Sequence, residues 1–153
     1  MNIVICDTCS LIKLQKGGII DCLSHFFENV YIPQAVEQEC FKGEAKKAIQ
    51  KSFIKVVSVK HTLPLGMGKG EREAISLAVE LGIKDIITDD DKAIKVASKN
   101  GLLPLTAFDI IIMAKKKGLI TNAKTVMEQM IKQGEGIKEE RFQSILEKAG
   151  ELS

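Results

Sequence analysis

The chain has 153 residues, of which 45% are hydrophobic and 27% charged, and its formal net charge is +2. This composition excludes a disordered or low-complexity protein, and the length suits one domain with a hydrophobic core of its own. No apolar run approaches the roughly 18 residues that a membrane span requires, and the first residues lack the pattern of a signal peptide, so we expect a cytoplasmic protein with no membrane partner.

Short apolar runs alternate along the chain with segments of helical periodicity. Strands are predicted at about residues 2–6, 30–32, 55–59, 85–88 and 102–105. Helices are predicted at about residues 8–16, 19–27, 34–41, 44–52, 71–81, 90–99, 107–117, 122–133 and 138–149. Crossovers of this length join parallel strands, so the pattern predicts an α/β fold, a three-layer α/β/α sandwich around a central parallel sheet of four to five strands. We expect one domain over residues 1–153, with residues 121–150 as C-terminal helices packed on it.

Two of the predicted strands end close to an aspartate that leads into a helix. Asp7 follows the run Ile3-Val-Ile-Cys6, and Asp89 follows Asp85-Ile-Ile-Thr88. Parallel α/β sheets bind ligands outside the carboxyl ends of their strands, where these two side chains would be neighbours. The simpler explanation is that Asp7 and the cluster Asp89-Asp90-Asp91 only cap the helices that follow them.

Helical phase adds two glutamates to these aspartates. At 100° per residue, Glu71 falls inside the apolar stripe of its predicted helix, whereas Glu73 lies at the margin of that stripe. In the helix predicted at residues 34–41, Glu39 is central to the apolar face and Glu37 is not. An unpaired buried carboxylate is costly, so something should compensate both inward glutamates. The simpler explanations are that Glu71 is only an acid in the first turn of its helix and that Glu39 forms an ion pair at the surface.

The acidic side chains selected in this way would converge at one edge of the sheet. They are the carboxylates of Asp7, Glu39, Glu71 and Asp89. Like charges in one cleft repel and raise one another's pKa, and a divalent cation resolves that conflict. Hard oxygen ligands without a histidine suit Mg²⁺ or Mn²⁺ rather than zinc. Such an ion activates water and neutralises charge on a phosphate, so the pattern indicates metal-assisted phosphodiester hydrolysis.

Several blocks of the sequence resemble the PIN domain, the ribonuclease fold of many prokaryotic VapC-type toxins, and most closely a PIN-like subfamily of uncharacterised prokaryotic proteins. The blocks are IVICDTCSLIKL, VYIPQAVEQEC, GKGEREAISLA and IITDDDKAIKVASKNGL, followed by GLLPLTAFDIIIMAKKKGLI and a last helix near IKEERFQSILEKAG. The resemblance covers essentially the whole chain. It implies that residues 1–153 form a single PIN-like domain.

The resemblance also implies roles for particular residues. The four catalytic acids of the family match Asp7, Glu39, Glu71 and Asp89. The implied metal ligands are Asp7, Glu71, Asp89, Asp91 and Asp90, and the alignment among the three consecutive aspartates is open by one residue. Thr8 or Ser10 corresponds to the small hydroxyl residue that would order a metal-bound water, and Glu73 is an alternate to Glu71. Toxin-type PIN domains commonly have aspartate where this chain has Glu71.

Three functional hypotheses follow from the residues and the resemblance together. The first is a Mg²⁺- or Mn²⁺-dependent endoribonuclease acting on RNA, with single-stranded DNA as an alternative substrate and Lys69 and Lys92 as candidate nucleic-acid contacts. The second, of another class, is a catalytically silent nucleic-acid-binding or protein-interaction module that retains the fold. The third is the toxin of a toxin–antitoxin pair, with an antitoxin protein as partner.

A homodimer is also predicted, from apolar surface near the C-terminal end. The apolar helix over residues 107–114, and Met127 with Met130 in the next helix, offer more apolar surface than a small monomer needs. Two copies of the chain could cover these surfaces by pairing them across a symmetry axis.

Overall fold

The computed structural model describes residues 2–152, in which a five-stranded sheet lies between layers of helices. The strands are β1 (Ile3–Cys6), β2 (Asn29–Pro33), β3 (Ile54–Val57), β4 (Asp85–Ile87) and β5 (Leu103–Leu105). The α-helices are α1 (Thr8–Lys16), α2 (Gln34–Glu39), α3 (Gly43–Ile49), α4 (Lys69–Leu81), α5 (Asp91–Lys99), α6 (Ala107–Lys116), α7 (Ala123–Lys132) and α8 (Glu139–Lys148). A 3₁₀ helix, Ile20–His25, lies between α1 and β2.

The strands are all parallel, and their order across the sheet is β3-β2-β1-β4-β5. The chain first moves outward from β1 to β2 and β3, and then returns across the sheet to place β4 on the other side of β1. Helices supply the long connections that parallel pairing requires. The direction of strand order therefore changes between β1 and β4, and this switch point is where open α/β sheets bind ligands.

Alternate residues of the central strand β1 contribute to two separate cores. Val4 and Cys6 belong to a cluster that includes buried residues of α1, α6 and α7, whereas Ile5 belongs to a cluster formed with α4 and α5. Successive side chains of a strand point to opposite faces, so helices cover the sheet on both sides. Burial on both faces explains the apolar runs of the strands. The predicted three-layer α/β/α sandwich is confirmed.

The C-terminal helices pack against α1 and α6. Met127 and Met130 of α7 are 0% exposed, and a Cβ at Gly17, after α1, would lie 2.9 Å from Met130 Cε. Lys16 forms an ion pair with Glu135 at 2.8 Å. In α6, Ile110 and Ile111 are buried within the same chain, whereas Ile112 and Met113 are half-buried. Most of the apolar surface from which the homodimer is predicted is therefore internal, and the homodimer stays a prediction with little support from this surface.

The structure differs from the sequence prediction at two places, one between α1 and β2 and the other at the end of α2. Residues 19–27 do not form an α-helix; the 3₁₀ helix Ile20–His25 replaces it, and the Ser24 hydroxyl bonds the Asp21 carbonyl at 2.7 Å. Helix α2 ends at Glu39, before the predicted end at residue 41. No helix within residues 2–152 is long and apolar enough to cross a membrane.

Candidate active site

The carboxyl ends of β1 and β4 place Asp7 and Asp89 side by side. Cys6 pairs with Ile87 in the sheet, and the Asp7 N–H donates to the Ile87 carbonyl at 3.2 Å. Ser10, in the first turn of α1, links both acids. Its backbone N–H donates to Asp7 Oδ1 at 2.9 Å and its hydroxyl donates to Asp89 Oδ2 at 2.6 Å. Sheet pairing and one serine thus bring the two predicted aspartates together.

Asp7 is a buried carboxylate with one unsatisfied oxygen. The residue is 1% exposed and caps α1 through Oδ1, but Oδ2 has no hydrogen-bond partner within residues 2–152. The neighbouring Thr88 hydroxyl lowers the pKa of the Asp7 carboxyl, yet it too is buried without a hydrogen bond of ordinary geometry. Burial is the largest influence and raises this pKa. A buried carboxylate oxygen without a partner is rare in native proteins, so this position suits a cation.

Asp89 is held by two helices. In addition to the Ser10 hydroxyl of α1, it accepts from the backbone N–H of Ala107, at 3.0 Å to Oδ1 and 3.3 Å to Oδ2. Ala107 is the first residue of α6, where the partial positive charge of the helix terminus attracts a carboxylate. Asp89 is therefore fixed in orientation before any ligand binds.

Glu71 is partly buried in the first turn of α4, among other acids. Burial is the main cause that raises the pKa of its carboxyl, and the charges of Asp90, Asp7 and Glu39 raise it further. Lys92 is the neighbour that lowers it. The carboxylates selected from the sequence therefore lie close enough to one another to disfavour their simultaneous ionisation.

Glu39 reaches this place from the end of α2. Its Oε1 accepts a hydrogen bond from the Thr8 hydroxyl at 2.9 Å, and a Cβ at Gly70 would collide with the same oxygen. The face predicted for this helix is buried at Ala35, Val36 and Cys40, but Glu39 itself is exposed, and the Thr8 hydroxyl holds its carboxylate at the site. A cavity of about 40 Å³ lies beside it, lined by Thr8, Cys9, Glu39, Gly68, Gly70 and Glu71.

The other candidate acids have local partners or lie outside this cavity. Asp90 caps α5 by accepting from the Ala93 N–H at 2.9 Å. Glu73 Oε1 accepts from the Ala35 N–H at 3.3 Å, at the start of α2. Asp91 is exposed and lines a neighbouring groove together with Asp89. Helix capping thus accounts for Asp90, as the simpler explanation proposes.

The two candidate lysines differ in what they contact. The Lys92 ammonium donates to the carbonyl of Gly66, so it ties the loop before α4 to the start of α5. Lys69, the first residue of α4, is exposed and makes no side-chain hydrogen bond within residues 2–152. Of these two lysines, Lys69 is the one whose ammonium forms no hydrogen bond within residues 2–152. Contact of either lysine with nucleic acid stays a prediction.

Residues 3–151 match the family model DUF3368, described as a PIN domain. The chain belongs to the PIN domain family. It is similar in structure to a PilT N-terminus domain protein from the hyperthermophilic archaeon Sulfolobus solfataricus, with a TM-score of 0.50 and 15% identity over 89% of this chain and 97% of that chain. No curated protein matches the sequence. The resemblance to the PIN domain is confirmed by the family match, and the structural likeness supports the fold.

PIN domains are generally nucleases and typically depend on a divalent metal. Within residues 2–152 no three carboxylate, imidazole or thiol side chains form a ready-made metal cage. Mg²⁺ rarely uses such a cage; it keeps several waters and takes one or two carboxylates together with phosphate oxygens of the substrate. The unsatisfied Oδ2 of Asp7, next to Asp89, suits binding of that kind. The donor set of this PIN domain therefore fits a hard divalent cation.

The sequence patterns do not identify two residues that shape this PIN domain site. Thr88 follows β4 and lies beside Asp7, and Gly70 leaves room for the Glu39 side chain. A polar residue that closes a buried apolar strand is a signal that could have identified Thr88. The repeated glycines of Gly66-Met-Gly-Lys-Gly70, immediately before Glu71, are a signal for a close approach of backbone to a side chain.

Proposed function

We propose that this PIN domain is a Mg²⁺- or Mn²⁺-dependent endoribonuclease that hydrolyses phosphodiester bonds of RNA. The observation that carries the proposal is the buried Asp7 Oδ2, which lacks a hydrogen bond at the switch point of the sheet beside Asp89. A bound divalent ion would supply a water of lowered pKa and neutralise charge on the phosphate oxygens. Carboxylates that repel one another at the carboxyl ends of the strands suit this chemistry, because a cation relieves their repulsion.

The side chains of the site have separable tasks in this proposal. Asp7 and Asp89, oriented by Ser10, would be the metal ligands. Glu71, whose carboxyl has a raised pKa, is placed to accept the proton of the attacking water. Glu39 borders a cavity of about 40 Å³, which has room for about one water molecule, and would orient that water.

Cleavage of a labelled single-stranded RNA tests the proposal. Wild-type protein should cut it internally with Mg²⁺ or Mn²⁺, and EDTA should stop the reaction. Asp89→Asn should lower the rate at least about 100-fold, because even the outer partners of metal ligands are worth 10–100-fold. Asp85→Asn makes the same chemical change at the opposite end of β4 and should leave the rate within about twofold. Folded wild-type protein that cuts RNA with neither metal would refute the proposal.

One observation favours a second candidate, a catalytically silent nucleic-acid-binding module. Two of the acids are already engaged, Glu39 by the Thr8 hydroxyl and Asp90 by a backbone N–H. A site of this kind would bind RNA without cutting it. Retention of RNA in a gel-shift assay, with no product after prolonged incubation in Mn²⁺, would favour this candidate.

The substrate range and a toxin role are finer parts of the proposal. The same cleavage assay with single-stranded DNA tests the alternative substrate. A toxin should arrest growth when it is expressed, Asp89→Asn should relieve the arrest, and a small antitoxin encoded beside the gene should restore growth. Normal growth of cells that express an active nuclease would exclude the toxin role and leave the proposed nuclease function intact.

A further inference from the structure

A groove leads away from the acidic site on the side of Asp89. Its volume is about 230 Å³, and its lining comprises Lys13, Asp89, Asp91, Phe108, Gly136, Ile137, Lys138 and Arg141. A second cavity of about 470 Å³ adjoins it and shares Lys138 and Arg141. Asp89 therefore belongs both to the acidic site and to the start of the groove. We call Lys13, Lys138 and Arg141 the groove cations.

The groove cations form no ion pairs with neighbouring acids. Within residues 2–152 none of their side chains forms an ion pair or a hydrogen bond. Lys16, about one turn further along α1 than Lys13, is by contrast paired with Glu135 at 2.8 Å. In the adjoining cavity, Asp109 is engaged in the capping box of α6 and Glu140 is exposed. The groove therefore holds three cations without an ion pair, beside the two carboxylates of Asp89 and Asp91 that also line it.

An aromatic ring holds two of the groove cations in place. Lys13 Nζ lies 5.8 Å and Arg141 Cζ 5.1 Å from the centroid of the Phe108 ring. This interaction attracts a cation to the ring while its hydrogen-bond donors stay free. Phe108 is 6% exposed and cannot stack on a base. Its packing instead orients a lysine of α1 and an arginine of α8 at the same groove.

We propose that the groove binds the sugar–phosphate backbone of single-stranded RNA where the strand leaves the acidic site, an inference that rests on the proposed nuclease function. Guanidinium and ammonium groups with free donors bind phosphate oxygens through charge-assisted hydrogen bonds. Phosphate contacts position a strand but carry no base information. No accessible aromatic residue lines the groove within residues 2–152, so binding is independent of base sequence.

Binding of fluorescein-labelled oligouridine, measured by anisotropy with Ca²⁺ in place of the catalytic metal, tests the groove apart from cleavage. The double variant Lys13→Gln/Arg141→Gln should raise Kd about tenfold at moderate salt. The slope of log K against log salt should fall by about 1.4, since each phosphate contact on a single strand contributes about 0.7. Lys84→Gln/Lys99→Gln removes the same charge at the opposite edge of the sheet and should leave Kd and slope unchanged.

Kinetics with the catalytic metal give a second measurement. The groove variant should raise KM about tenfold and leave kcat within about twofold, because it contacts the strand away from the reacting phosphate. Equal affinity for RNA in the groove variant and the control variant would contradict RNA binding in the groove. Cleavage of RNA by the wild-type protein would still support the nuclease function. Lost affinity in the groove variant, with no cleavage by wild type, would support the groove and refute the nuclease. Tighter binding of duplex RNA than of the single strand would also overturn the proposal.

Discussion

Asp7 is a carboxylate that the fold buries without neutralising. Burial raises its pKa, so the folded chain holds this proton more tightly than the unfolded chain does. The free energy of unfolding should therefore fall as pH rises from the ordinary pKa of 3.8 through the raised pKa of the folded state. Above that window the cost of the charged carboxylate is fully present, and at neutral pH it acts against folding.

Asp7→Asn removes this charge and keeps the acceptor for the Ser10 N–H. In EDTA at neutral pH, we expect the variant to exceed the wild-type free energy of unfolding by about 0.5–2 kcal/mol, the usual gain when a strained functional site is relieved. The gain should shrink in acid, where Asp7 of the wild type is protonated. Urea unfolding at both pH values measures it, with Asp85→Asn as the control. A variant less stable than wild type at neutral pH would contradict this account.

Gly70 supports the site by having no side chain. A Cβ there would collide with Glu39 Oε1, whereas a Cβ at Gly68 would meet nothing within 4 Å. Gly70→Ala should displace the Glu39 carboxylate from Thr8 and lower the cleavage rate about tenfold or more. Stability should change little, since alanine favours the helix by about 1 kcal/mol and offsets the lost contact.

Gly68→Ala, which precedes α4, is the matched control for this prediction and should retain the wild-type rate. The two variants are compared by single-turnover cleavage, with urea unfolding to exclude misfolding. Equal rates in both variants would mean that the position of Glu39 does not matter for the chemistry.

At the scale of elements, helical phase predicts the buried faces of α4 and α2, but it does not predict the exposure of Glu39 at the end of α2. Glu71 lies in a helix of 13 residues with a continuous apolar stripe, and it is partly buried among acids, as predicted. Helix α2 stops at Glu39, and Gly43 turns the chain with a φ of 61°. Phase assigns a face only where the helix continues. The contact that holds Glu39, with Thr8 of α1, is between elements and has no local signal.

The junction between α1 and α7 allows the C-terminal helices to be tested as part of one domain. A Cβ at Gly17 would lie 2.9 Å from Met130 Cε and 3.0 Å from Val126 Cγ1. Gly17→Ala should lower the free energy of unfolding by about 1–2 kcal/mol through overpacking. Gly136→Ala, where the added Cβ meets nothing within 4 Å, is the control. A single unfolding transition that shifts as a whole would support one cooperative domain, and a separate early transition would contradict it.

For the whole molecule, the sequence predicted the class of sheet and, from Asp7 and Asp89, that the carboxyl ends of β1 and β4 lie next to each other, but it did not predict the order of the five strands. Periodicity and crossover length identify parallel strands, yet the full order β3-β2-β1-β4-β5 is a choice among topologies that single-strand patterns do not encode. The acids were found because their residue types are unusual at strand ends and in an apolar stripe. The groove was not found, because Lys13 and Arg141 lie at opposite ends of the chain and meet only through Phe108.

Since the acids come from elements spread across the sheet, metal binding and folding should be linked. A ligand that binds only the folded chain raises the free energy of unfolding by about 2.7 kcal/mol at 100 times its Kd. Mn²⁺ should therefore raise the Tm of wild-type protein, and EDTA should reverse the shift. Asp89→Asn should lose most of the shift, and Asp85→Asn, at the far end of the same strand, should keep it. Equal shifts in these two variants would mean that Mn²⁺ binds elsewhere, and would leave the unsatisfied oxygen of Asp7 without the cation that we assign to it.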